Sequence, residues 1–489
     1  MRKVSYSKRL KAMKARLQAV QSTNIQLIQE NARLTNLIRK LKEVIAKLKE
    51  RLGQTSKNSS KPPSSDPPWI RNQGPSKASQ ATQRRKPGAQ KGHPGHQRTL
   101  IPIENVQQVI ALKPDHCQGC GQPLSGEDPQ PYRHQVSEIP QITPIVTEYQ
   151  LHSLSCAQCQ AITRAHLPTG VPTGAFDVRA TAWAAILTGI YHLSRRQTVS
   201  LLYDFFGLSM SLGSVIACEQ TVSLALEPAV EQAKIFVKHQ SVKHADESSW
   251  FEGVRRQKVW LWACYTSMVS VFLIRTSRAT QMAKDLLGEV FGVLITDRYA
   301  AYLWWPLQWR QLCWAHLKRH FLAFVEAGGR SKTVGLALLK QERKLFIWWV
   351  RVRDGTLSRS TFQTYVRPLR NKVQALLKQG ALCAHPKTKA CCKQLLKFQP
   401  ALWTFIYIQG VEPTNNNAER IIRPAVLWRK MCFGTHSHKG SLFVERMLSV
   451  SITLMQQNRN KVDFISRSLQ AALTKQNHPS LLPLIQNLS

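Results

Sequence analysis

"FGVLITDRYAAY", residues 291–302, decides how this chain folds. Val293 to Thr296 form a short, nearly continuous apolar run that stops at an acid, Asp297. A run of that length after a glycine reads as a buried strand, and its lack of alternation implies a sheet covered on both faces. Just upstream lies "VKHADESSW" (242–250), a second strand candidate carrying Asp246 and Glu247. "VWLWACYTS" (259–267) and "VSVFLIRTS" (269–277) follow as a hairpin, and "QMAKDLLGEV" (281–290) reads as a helix. Downstream, "RQLCWAHLKRHFLAFVEA" (310–327) is a short strand entering a helix. The order β-β-β-α-β-α describes an α/β domain with a mixed sheet. Residues 321–411 offer few strand signals and read as a helical insertion. "EPTNNNAERIIRP" (412–424) then starts a helix bearing Glu419.

Asp246 and Asp297 both sit where strands end, the edge at which α/β sheets build sites. If Glu419 joins them, only cations can relieve the repulsion, and oxygen donors suit Mg2+ or Mn2+. Two such ions roughly 3.5–4 Å apart would clamp the attacking and leaving oxygens of a phosphodiester. Arg420 and Arg423 would face phosphates, and the asparagine run would cap the helix or touch the nucleic-acid backbone. Spacing alone equally allows Asp246 as a cap, Asp297 as a turn residue and Glu419 as an ion-pair partner of Arg423.

The charge balance points the same way. Sixty-eight Lys and Arg against 28 Asp and Glu leave a formal +40, which self-repels without a polyanion nearby. Nucleic acid is the expected partner. No run spans a membrane and no apolar signal core opens the chain, so a cytosolic protein is expected. Its eleven cysteines are then thiols or metal ligands.

Within an expected coiled coil over 1–52, residues 10–52 carry a heptad repeat with Leu10, Leu17, Asn24, Asn31, Ile38, Ile45 and Leu52 at a and Met13, Val20, Leu27, Leu34, Leu41 and Leu48 at d. Leu at d favours a parallel dimer, and the two Asn fix its register. The alternative is one long helix packed on its own chain. Residues 53–100 are rich in Pro, Gly and cations, with Asp66 the single acid, and read as a basic linker whose Arg84, Arg85 and Lys86 lie along phosphates. Residues 101–170 hold Cys117-x-x-Cys120 and Cys156-x-x-Cys159, two pairs that complete a closed S4 shell for a structural Zn2+, with His116 and His152 as lesser alternatives. The alternating stretch between the pairs reads as strands. Residues 171–240 read as helices, with Ser194 as a cap and Gly207 as a stop, compatible with a helix-turn-helix presenting Arg195 and Arg196. Residues 241–320 and 412–465 form the two parts of the α/β core, and 466–489 a tail.

"HADESSW", "TDRYAAY", "CWAHLKRHF" and "NNNAERIIRP", preceded by "NSSKPPSSD", "RRKPGAQKGHPG" and the doubled CxxC, together resemble the insertion-sequence-66 family of bacterial transposases, over about residues 50–460. The resemblance implies a ribonuclease-H-like core with a DDE triad, carried here by Asp246, Asp297 and Glu419. It also implies a CxxH element formed by Cys313 and His316, which would buttress the site. Two positions depart from the family pattern: Arg298 replaces a usual Gly, and Ser248 a usual Thr.

The expectation is therefore a DNA transposase that cuts element ends and joins them to target DNA by metal-dependent phosphoryl transfer. It would work as a coiled-coil dimer on bacterial, nucleoid-associated DNA, with accessory proteins expected by resemblance only. The rival readings are an inactive or domesticated dimeric DNA-binding regulator, and a metal nuclease that cuts without joining.

Overall fold

A computed structural model of the chain describes residues 2–52, 59 and 98–483. The expected linker cations Arg84, Arg85 and Lys86 lie outside the described residues. Helix α1 (Arg2–Leu52) runs unbroken until the residue before Gly53, because nothing within it interrupts the hydrogen-bond ladder. Its heptad side chains Met13, Leu17, Val20, Leu27, Leu34, Ile38, Leu41 and Ile45 are 45–69% exposed, so they bury nothing against this chain.

Residues 98–177 contain little regular structure beyond a 3-10 turn at Ile103–Asn105 and a small antiparallel hairpin, β1 (Ser153–Ser155) with β2 (Ile162–Arg164). The strands expected between the cysteine pairs are therefore mostly absent. Pro140 and Pro144 sit in that stretch, and a proline cannot donate to a ladder.

The main body opens with α2 (Val178–Gly189), α3 (Arg195–Phe206) and α4 (Leu212–Lys238). Ser194 caps α3 through a full capping box with Gln197, and Gly207 ends it in the left-handed region. Next come β3 (Val242–Glu252), β4 (Gln257–Tyr265), β5 (Ser270–Arg275), α5 (Thr280–Leu287), β6 (Val293–Thr296) and β7 (Arg310–Leu312). They form one sheet in the order β5-β4-β3-β6-β7, antiparallel through β3 and parallel from β3 to β7. Helix α6 (Trp314–Glu326) leads into the expected helical insertion: α7 (Gly329–Arg353), α8 (Arg359–Gly380), α9 (Pro386–Lys397) and the short α10 (Thr404–Tyr407). The chain returns through α11 (Asn416–Cys432), α12 (His438–Gln456) and α13 (Lys461–Thr474).

Two apolar clusters cover the sheet, as the continuous apolar strand requires. Leu294 joins Trp250, Trp262 and helices α2, α4, α12 and α13 on one side. Its neighbours Val293 and Ile295 join Leu312, Trp314 and the insertion on the other. Two flanking segments pack on the sheet itself. Residues 171–240 do not stand apart, because α2 and α4 bury Ala182, Ile186, Leu226 and Val230 in the sheet's own cluster. Within 466–483, Leu469 and Leu481 are buried in that cluster too. The apolar spacing of α13 is short and lies far along the chain from its partners, which hid this contact.

Strand β5 would expose an unpaired edge, a general hazard for sheets. Helix α12 covers it with polar side chains spaced four apart. The N–H groups of Ser270, Phe272 and Ile274 donate to Thr453 Oγ1 (3.0 Å), Ser449 Oγ (2.9 Å) and Glu445 Oε1 (2.5 Å). The four-residue helical repeat thus meets the two-residue strand repeat. Among the described residues no helix is long and apolar enough to cross a membrane.

Candidate active site

Strand register brings the first two acids together. On β3 and β6, Val242 faces Val293 and His244 faces Ile295. Continuing that parallel register by two residues sets Asp246 beside Asp297, on the same face of the sheet. Gly292 makes the start of this pairing possible. Its φ is +67°, and a Cβ there would lie 2.3 Å from the Ser241 carbonyl oxygen, where Val293 N–H donates at 2.7 Å. Asp246 Oδ1 accepts the Glu247 N–H at 3.0 Å, and Asp297 Oδ1 accepts the Tyr299 N–H at 2.8 Å. Behind Asp297 the fully buried Arg310 donates to its carbonyl oxygen (2.8 Å), to Thr296 Oγ1 (3.1 Å) and to the Tyr302 carbonyl (3.1 Å). Burial pushes the Arg310 pKa down to about 10, still far above neutrality.

Glu419 arrives on α11, and Asn415 docks that helix. Asn415 is fully buried and sits immediately before the helix. Its Nδ2 donates to the Ala245 carbonyl (2.8 Å), Oδ1 lies 3.3 Å from His244 Nδ1, and its N–H donates to Cys313 Sγ (3.1 Å). One side chain thereby ties the start of α11 to the strand residues that precede Asp246. Cys313 is itself fixed by its N–H donating to the Thr296 carbonyl at 2.9 Å. The Trp314 N–H donates to the Pro413 carbonyl at 2.9 Å, pinning the approach to α11. Farther along α11, Arg429 donates to Ser248 Oγ (3.2 Å) and Ser249 Oγ (2.6 Å), a second tie to β3. The serine at 248 is therefore an acceptor for α11.

Cys313 Sγ, a ring nitrogen of His316 and a Glu419 carboxylate oxygen lie within 4.8 Å of one another. His316 Nδ1 stands 3.4 Å from Glu419 Oε1, and both buried atoms lack a hydrogen-bond partner. Burial, with help from Arg319 and Arg298, pushes the His316 pKa down to about 3. The imidazole is therefore neutral at physiological pH, and its contact with Glu419 is not an ion pair. Burial also pushes the Cys313 thiol up to about 12.

The acids repel one another. Burial chiefly, then the charges of Glu247, Asp297 and Glu419, raise Asp246 well above the carboxylate range. Glu419 is raised by burial and by Asp297, against the pull of Arg319. Glu247 is held differently. It accepts from Arg278 Nε (3.1 Å) and Tyr302 Oη (2.6 Å), so it is a buried structural acid. Glu419 Oε1 and His316 Nδ1, both without a hydrogen-bond partner, and Cys313 Sγ form a set close enough to share a metal ion. Asp246 and Asp297 are not part of that set but lie near enough for their charges to act on one another and on Glu419.

Other expected residues fall in varied places. Arg420 and Arg423 are exposed on α11, as is Arg196 on α3. Arg195 instead grips Glu219 (2.8 Å), tying α3 to α4. Arg298 donates to Gln394 Oε1 of α9 (2.6 Å) and meets His320 Nε2 (2.9 Å). Asn415 as a clamp, Arg310 and Arg429 left no local signal, because their partners are distant in the chain. Only the unbroken asparagine run marked the place.

The two cysteine pairs form matching turns. Cys117 N–H donates to Gln122 O (2.8 Å) and Gly121 N–H returns to Cys117 O (2.9 Å). Cys156 N–H donates to Ala161 O (2.9 Å) and Gln160 N–H returns to Cys156 O (2.9 Å). Gly121 and Gln160 both take positive φ, +74° and +58°. Backbone N–H groups of Cys120 and Gly119 lower the Cys117 pKa, and those of Cys159 and Gln158 lower that of Cys156. The pairs are not joined into one thiolate cluster: among the described residues, the group close enough to share an ion is Cys313, His316 and Glu419. His116 forms an isolated bridge with Pro123.

Residues 11–99 match a family of unknown function (DUF6444). No curated protein matches the chain. Residues 174–442, more than half of the chain and the whole of the sheet, the insertion and α11, match the model of the transposase IS66 family. Asp246 on β3, Asp297 just after β6 and Glu419 on α11 all lie inside the matched region, and the chain belongs to the IS66 family of transposases.

Proposed function

We propose that this transposase cleaves the ends of its insertion sequence and joins them to target DNA through Asp246, Asp297 and Glu419. The observation that carries the reading is the placement of two acids at the same step of adjacent parallel strands, with the helix bearing the third clamped to one of those strands by Asn415. The sheet order, antiparallel then parallel with the acids at β3 and β6, supports a ribonuclease-H-like core.

The three carboxylates would hold Mg2+ or Mn2+, which supplies Lewis-acid stabilisation of phosphate charge and an acidified water. The chain's own residues do the positioning. Arg310 and Tyr299 N–H fix the Asp297 turn, Asn415 fixes the height of Glu419, and neutral His316 with Cys313 walls the Glu419 side. Exposed Arg420 and Arg423, on the same helix as Glu419, would contact phosphates. One structural Zn2+ would draw the two separate cysteine turns together into a single S4 shell; their matching backbone turns and the lowered pKa of Cys117 and of Cys156 support that reading. The exposed heptad face of α1 supports a parallel dimer, one subunit per element end.

The test uses purified protein and a DNA fragment carrying the sequences that flank its gene. Wild type with Mg2+ or Mn2+ should nick at a fixed position, and Glu419→Gln should bind the same DNA without nicking it. Nicking by both proteins would remove Glu419 from the chemistry. Binding without nicking under every metal and accessory protein tried would favour a regulator.

A further inference from the structure

The helical insertion is the most one-signed part of the described body. Across residues 329–397 sixteen Lys and Arg accompany two acids, Glu342 and Asp354. Residues 355–411 contain no acid at all, so the cations of α8 and α9 have no counter-charge within their own segment. Helix α9 orders part of that charge. Thr388, Cys392 and Leu395 bury one side of it against the insertion core. Lys389, Lys393 and Lys397, at successive i, i+4 positions, are exposed on another. The helix is held at its start by His385, whose Nδ1 accepts the Thr388 N–H at 3.3 Å, so these lysines project from a fixed rod.

What distinguishes α9 from a merely solvated face is its connection. Gln394, next to Lys393, accepts the Arg298 guanidinium at 2.6 Å, and Arg298 follows Asp297. The lysine row is thus tied directly to the loop that carries a proposed metal ligand. Three residues spaced four apart span about 12 Å of helix, an axial length over which one strand of B-form DNA carries three or four phosphates.

We infer that the Lys389–Lys393–Lys397 face of α9 is a duplex-DNA surface that guides a phosphate backbone toward the acid cluster. This rests on the transposase reading above. Arg298 then serves to keep that surface in register with the Asp297 turn, while the lysines act as point charges without base contacts.

The experiment measures binding of full-length protein to the duplex carrying the gene's flanking sequences, between 50 and 200 mM salt. It compares wild type, a Lys389→Gln, Lys393→Gln, Lys397→Gln triple variant, and a control with Lys461→Gln and Arg467→Gln on α13 and Lys475→Gln just after it. Glutamine and lysine have nearly equal helix propensity, so α9 should persist, which circular dichroism verifies. Losing three phosphate contacts should flatten the slope of log K against log salt by roughly 2–3 in the α9 variant and leave the control near wild type. Single Lys393→Gln should flatten it by about 1. An α9 variant with the slope and affinity of the control overturns the inference; if wild type still nicks that DNA, the transposase reading survives. A wild type without salt-dependent DNA binding overturns both.

Discussion

At the scale of single residues, Asn415 decides more than any of the acids it serves. Three bonds converge on it, to Ala245 O, His244 and Cys313 Sγ, inside a fully buried position. Asn415→Ala leaves the Ala245 carbonyl and His244 without that partner, a loss of about 1–3 kcal/mol. Asn415→Asp keeps the shape but removes the Nδ2 donor and adds a charge beside Asp246, so it should be at least as harmful. Both should lose nicking before they lose DNA binding, as gel-shift and nicking assays on one preparation would reveal; normal nicking by Asn415→Asp would refute the clamp. The acids themselves make a pH-linked prediction. Asp246 and Glu419 have folded pKa values raised above 3.8 and 4.5. Their contribution is therefore favourable at low pH and is lost as pH rises through the folded values. At pH 7.5 and without divalent ions, Asp246→Asn should raise the thermal midpoint. Adding Mg2+ should stabilise wild type more than the variant, by scanning calorimetry; an equal Mg2+ shift would argue against an ion on Asp246. Working above pH 7 removes the competing effect of His244, His316 and His320, depressed to about 4, 3 and 4 and neutral there. Asp297 stood out because it ends an apolar run and Glu419 because it opens a helix beside unusual amides; Asp246, expected at a strand end, instead lies inside β3, which continues to Glu252 in its pairing with β4. The sequence hid Asn415, whose side-chain partners sit about 170 positions away and reveal no local pattern.

Among elements, β6 was legible and its registration was not. An apolar run ending in an acid announces a buried strand, but which neighbour it pairs with depends on Gly292. A side chain there meets both a left-handed φ of +67° and the Ser241 carbonyl at 2.3 Å. Gly292→Ala should cost about 2 kcal/mol or more and lower the thermal midpoint by several degrees. Because β6 then shifts against β3, the loss of nicking should exceed the loss of fold seen by circular dichroism. A variant with unchanged midpoint and activity would show that the turn relaxes freely. The insertion was legible as helical because residues 321–411 offer few strand signals. The alternation before Cys156 misled, since Pro140 and Pro144 forbid the continuous ladder that alternation alone implies. The knuckles show the opposite case. Both CxxC turns form locally, through hydrogen bonds spanning four or five residues, which is why spacing alone located them.

For the whole molecule, charge and association oppose each other, and the opposition can be measured. Helix α1 with its fourteen Lys or Arg and three Glu carries +11 by itself, within a chain of +40. Two parallel copies of α1 would lie roughly 8–10 Å apart, comparable to the ~10 Å Debye length at 0.1 M salt. Their repulsion works against the apolar seam of Met13, Leu17, Val20, Leu27, Leu34, Ile38, Leu41 and Ile45. Raising the salt screens that repulsion and leaves the seam intact, so dimerisation should tighten as salt rises. DNA binding must do the reverse, because released counterions drive it. Sedimentation equilibrium and DNA titration over one salt series should therefore give slopes of opposite sign. Removing residues 1–52 should leave a monomer at every salt concentration. Replacing Asn24 and Asn31 by Ile should strengthen association while admitting trimers or tetramers, since the buried amides restrict strand number at the expense of stability. A dimer that survives the deletion would move the interface elsewhere on the body. A full-length monomer at all salt concentrations would leave the exposed heptad face waiting for DNA, whose phosphates would neutralise both helices at once and allow pairing only on the element ends.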